Sequence, residues 1–116
     1  MRLWLARLAA LGAVSVALYL TLRPDSGSGP LPAWAGHLIV FAGVGASFAS
    51  LRAVSRWPRS RRNLLVLALV TLSAATEVGQ GFTGRSPDLI DLVLDLAAGL
   101  GALLVLDGAF EGRRRA

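Results

Sequence analysis

Apolar residues fill four windows of the chain, at residues 3–22, 34–53, 63–80 and 89–106. Crossing about 30 Å of hydrocarbon takes about 20 predominantly apolar residues in an α-helix, and each window meets or approaches that length. The first is broken only by Arg7, near its start. The second carries His37 near one end and Arg52 near the other, and the third stays apolar until Glu77. The fourth contains Asp91 and Asp95. Between the windows lie RPDSGSGPLPA, SRWPRSRR and GFTGRSPD, rich in the Pro, Gly, Ser and Arg of connectors. No repeat or second domain is visible. The pattern predicts a single all-α domain, an integral membrane four-helix bundle spanning residues 1–116. Arg2 and Arg7 before an apolar run also describe a signal peptide, but no A-x-A-like site stands between Tyr19 and Pro30. The first window therefore reads as a helix of the bundle.

Composition supports the membrane reading. Hydrophobic residues make up 54% of the 116, and charged residues only 16%, against about 25% in an average soluble domain. There is no cysteine, so disulfides and thiolate metal sites are excluded. All twelve basic residues are arginine, and their placement sets an orientation, because basic residues in short loops stay cytoplasmic. With four spans the two termini and the middle connector share a side. That side holds Arg2, Arg7, Arg52, Arg56, Arg59, Arg61, Arg62 and Arg113, Arg114 and Arg115, and the other only Arg23 and Arg85. Both termini are thus expected in the cytoplasm of a multi-pass cell-membrane protein. The arginines would meet the lipid bilayer at its anionic head groups, each at about 1 kcal/mol. This accounts for the net charge of +5 without nucleic acid.

One stretch departs from the oily background. ATEVGQGFTGRSPDLIDLVLD, residues 75–95, gathers Glu77, Gln80, Arg85, Asp88, Asp91 and Asp95 around one turn. Glu77 and Gln80 share a face at the outer end of the third helix. Asp88, Asp91 and Asp95 form a stripe along the start of the fourth, with Asp95 about 9 Å inside it. His37 opens the second helix on the same outer side. An Asp at the centre of a membrane helix costs about 3 kcal/mol, and each Leu, Ile or Val returns only about 0.3–0.6. The fourth window sets eleven such residues against its two Asp, so it is marginal alone and is expected to insert with the third as a hairpin. Asp88, just after Pro87, reads as a helix cap. Glu77, Asp91 and Asp95 read as functional, because intramembrane ionisable residues face a bundle interior or water-filled cavity and mark function. Gln80 fits helix–helix attachment equally well.

These residues resemble the VanZ-like family of small bacterial membrane proteins. The family pattern has a His-Phe-type motif opening a helix, E-x-x-Q near a helix end, an Arg in a short turn, and D-x-x-x-N followed by small residues. Here the pattern reads His37 with Phe41, Glu77 with Gln80, Arg85, and Asp91 with Asp95. Asp95 replaces the usual Asn, Ala98 and Ala102 replace Gly, and Ala33 and Trp34 replace an acid-base pair before the His. The match covers the last three helices. The resemblance implies a cell-envelope role, including low-level resistance to the glycopeptide teicoplanin, with no established reaction and no cofactor.

The residues themselves fit an outward-facing polar pocket for an anionic or lipid-linked envelope molecule. Arg85 would hold the anionic group, with Gln80 beside it, since the guanidinium fork suits phosphate or carboxylate. Glu77 or His37 would move a proton, and Asp91 with Asp95 would orient them. The alternatives are a purely structural or partner-binding role, a transporter working as an oligomer, and a divalent metal held by His37, Glu77, Asp91 and Asp95. Against the metal stand the expected neighbourhood of Arg85 and the lack of HxxxH or ExxH spacing.

Overall fold

The computed structural model describes residues 1–23, 30–84 and 86–116, without the side chain of Ala33. Four helices account for nearly all of them: α1 Arg2–Leu22, α2 Ala33–Ser55, α3 Arg59–Phe82 and α4 Leu89–Arg115. All four are long and apolar enough to cross a membrane, as the spacing of the windows predicts.

The helix ends follow local chemistry. Pro32 and Pro58 precede α2 and α3, where a residue with fixed φ and no N–H costs the first turn nothing. Asp88 caps α4 as expected, its Oδ1 accepting from the Ile90 N–H at 2.9 Å. Arg56 closes α2 in the left-handed conformation, φ 54°. Gly84, at φ +80°, makes the turn after α3. Two ends lie elsewhere than the apolar windows place them. α3 starts at Arg59 rather than at residue 63, and α4 runs on to Arg115 rather than stopping at residue 106. Hydropathy stops at the first charges; the backbone does not, because Asp107 and Glu111 of α4 are paired with Arg52 of α2 and with Arg59 and Arg62 of α3. Arg113, Arg114 and Arg115 also complement the C-terminal end of the α4 dipole.

The helices alternate in direction, so α2 and α4 run parallel. α2 lies at the centre, packing most extensively on α4 and next on α1, while α3 makes its larger contact with α4. The third and fourth helices do form a tight-turned hairpin, but the main partner of α4 is α2. The reason is backbone proximity: a Cβ built on Gly45 would collide with the carbonyl of Gly99. Small residues permit such approach between apolar helices, where packing replaces the hydrophobic effect as the driving force. Ala6, Ala10, Ala17 and Thr21 turn the same kind of face from α1 into the bundle. Phe41, Val44, Phe48, Leu69 and Leu103 fill the core.

The distribution of polarity is inverted relative to a water-soluble bundle. Leu5, Leu8, Leu11, Leu64, Leu67, Val93 and Val105 are exposed, whereas His37, Arg52, Ser73, Thr76, Glu77, Gln80, Asp95 and Asp107 are buried. Soluble monomers rarely expose contiguous apolar patches beyond a few hundred Å².

Candidate functional site

Three helices bring ionisable side chains together at the end of the bundle where α2 and α4 begin. His37 is one turn into α2, and Asp91 and Asp95 stand one turn apart on α4. His37 Nδ1 lies 2.7 Å from Asp95 Oδ1, and Nε2 lies 3.5 Å from Asp91 Oδ2. Both ring nitrogens thus face carboxylates. With Asp95 ionised, the Nδ1–H donates to it, which sets the tautomer and holds the ring. Asp95 is fully buried and His37 nearly so, while Asp91 keeps 19% of its side chain exposed. Asp91 is thus the member of the group in contact with the surface.

Glu77 joins from α3. One ligand-capable atom each from His37, Glu77 and Asp95 lies within 4.8 Å of the others. Glu77 Oε2 accepts the backbone N–H of Asp88 at 2.9 Å, which satisfies a free donor at the start of α4. Its Oε1 is buried without a hydrogen-bond partner among the described residues, as is Asp95 Oδ2. Both atoms are carboxylate oxygens, which can only accept when ionised, and buried polar atoms in native proteins are mostly paired.

The remaining expected residues are placed differently. Gln80 is fully buried, and its Nε2 donates to the Thr21 carbonyl at the end of α1, 3.1 Å away. It ties α3 to α1, and its Oε1 is without a partner among the described residues. Arg85, the expected anion holder, lies outside the described residues, as do residues 24–29 of the connector before α2. A separate groove of 560 Å³ runs between α1, α2 and α3, lined by Val14, Phe48, Leu64, Leu67, Thr71 and Leu72 among others. It contains no ionisable group and is not this site.

A second buried charge cluster, at the opposite end of the α2–α4 pair, was not foreseen from the sequence. Arg52 donates to Asp107 and, at 2.8 Å, to Glu111. Arg59 from α3 forms a fork onto Glu111 at 2.8 and 3.1 Å, and Arg62 Nη1 lies 3.7 Å from Asp107 Oδ2. The arrangement is near neutral, three arginines against two acids, and it joins three helices. The signal was present: Arg52 interrupts an apolar run, and Asp107 and Glu111 sit at i, i+4 on the far side of another. Ending the fourth helix at residue 106 hid it. No model of a known protein family matches the chain, and neither does a curated protein or a solved structure.

Proposed function

We propose that the chain is a multi-pass cell-membrane protein with both termini in the cytoplasm, whose outward-facing His37–Glu77–Asp91–Asp95 pocket acts on an anionic or lipid-linked envelope molecule. A VanZ-like role, with a contribution to teicoplanin-type resistance, is the form that the resemblance of residues 75–95 favours. The observation that carries the reading is the meeting of buried His37, Glu77 and Asp95 from three helices, where among the described residues no arginine pairs with the acids, unlike Asp107 at the other end. Charge placed so deep is retained where it serves a substrate or proton path. His37 is the group suited to exchange a proton, held by Asp95 through Nδ1 with Nε2 directed toward the partly exposed Asp91. Glu77 supplies a second carboxylate, and Arg85, in the adjoining turn, is the proposed anion holder. The arginines of the other end meet anionic lipid head groups. A purely structural reading has its own support, in the contacts Glu77 makes to Asp88 and Gln80 makes to Thr21.

Two experiments test the proposal. For orientation, single cysteines at Ser60 and Ser86 use the cysteine-free background, and both positions are exposed. In intact cells a membrane-impermeant thiol reagent should label position 86 and spare position 60. The reverse pattern would place the pocket on the cytoplasmic side. For function, Glu77→Gln retains an oxygen to accept the Asp88 N–H and removes the charge. Thermal stability in detergent should change by less than about 1 kcal/mol, while the teicoplanin or envelope-stress phenotype of the parent gene disappears. Parental activity in a folded Glu77→Gln protein would leave the structural reading in its place.

A further inference from the structure

We infer that His37, Glu77 and Asp95 form a binding site for one divalent first-row metal ion, with Asp91 at its open side. The inference deepens the proposed function but is read from donor chemistry alone. One imidazole nitrogen and two carboxylates converge from three helices with their ligand-capable atoms within 4.8 Å of one another. Metal–nitrogen and metal–oxygen bonds are about 2.0–2.2 Å, so ligands across an ion stand about 4 Å apart, and small side-chain movements close the difference.

Burial separates this trio from a surface group of acids. None of the three residues exposes more than 7% of its area. The second observation is independent of their proximity: Glu77 Oε1 and Asp95 Oδ2 are buried acceptors without partners among the described residues. A carboxylate oxygen can only accept, so each calls for a donor or a cation. The charge sum points the same way. Among the described residues His37 is the only basic side chain within 4 Å of Asp91 or Asp95, and Glu77 has none. Burying an uncompensated carboxylate is costly, and a dication offsets two at once.

An ion at Nδ1, on the Asp95 side, would replace the proton shared with Asp95 and leave Nε2–H directed toward Asp91 at 3.5 Å, the kind of carboxylate partner that usually fixes the other nitrogen of a ligating histidine. Glu77 is steadied by the Asp88 N–H. Mixed imidazole and carboxylate donors suit Mn²⁺, Fe²⁺ or Zn²⁺ better than softer ions. A metal in this pocket would also attract an anionic head group directly.

Mn²⁺ is the probe, because its six-line electron paramagnetic resonance signal is lost from the free pool on binding. The full chain purified in detergent should take up one Mn²⁺, and Zn²⁺ should displace it. Glu77→Gln and Asp95→Asn should each weaken binding at least tenfold, while Asp88→Asn, at the exposed cap, should not. Helical circular dichroism identifies any variant that fails to fold, and His37→Gln then serves as the further ligand variant. Absence of Mn²⁺ and Zn²⁺ uptake by the folded parent would overturn the inference, as would affinity unchanged in all the ligand variants. An envelope phenotype that depends on Glu77 in a protein that binds neither ion would sink the metal while sparing the proposed function.

Discussion

Arg52→Leu is expected to lower stability by about 3–5 kcal/mol, the cost of leaving a buried charge without its partner. The partner is Asp107, fully buried, with Arg52 itself only 3% exposed. Arg62, 3.7 Å from the other oxygen of Asp107, is too distant to replace the lost hydrogen bond. Glu111 would fare better, because Arg59 still holds it. The double variant Arg52→Leu, Asp107→Leu removes both charges and should recover most of the loss, since an apolar pair of similar volume often matches a buried ion pair. Unfolding in detergent, followed by circular dichroism, measures all three proteins. A single-variant loss below about 1 kcal/mol would mean that the cluster behaves as a solvated surface pair, and that its burial does not isolate it from water.

Gly45→Ala carries the second large effect. The added methyl group would fall on the Gly99 carbonyl and close to the Leu103 amide nitrogen. Neither is a flexible side chain, so α2 and α4 must separate along their whole contact. Overpacking of this kind costs about 1–3 kcal/mol, and separation also pulls His37 away from Asp95. Gly99→Ala provides the contrast, because its new atom meets Leu69 Cδ2 at 2.7 Å, the far end of a side chain that can rotate aside. The expected order is a marked loss for Gly45→Ala and a smaller one for Gly99→Ala. Equal losses would show that the helices adjust without regard to the backbone contact.

The four helices were legible because apolar windows of about twenty residues leave little choice of secondary structure. His37, Glu77, Asp91 and Asp95 were legible as one group because each interrupts an apolar run near the same end. Sequence spacing could not show that Glu77 divides its oxygens between a backbone cap and the cluster, nor that Gln80 reaches α1. Such assignments depend on which helices touch, and α2 meets α4 through two glycines that no hydropathy pattern distinguishes from their neighbours. The Arg52–Asp107–Glu111 cluster was hidden for a related reason. Charge next to an apolar run reads as the end of a helix, and only a partner on another helix lets it continue.

The parallel pairing of α2 with α4 also sets a timetable for biogenesis. His37 and Arg52 emerge from the ribosome with α2, but their partners Asp95 and Asp107 lie 58 and 55 residues further on. At about 5–20 residues per second, Arg52 waits roughly 3–11 s for Asp107. During that interval α3 is made and α2 has neither of its α4 partners. The nascent second helix therefore carries its histidine and arginine unpartnered through that whole interval.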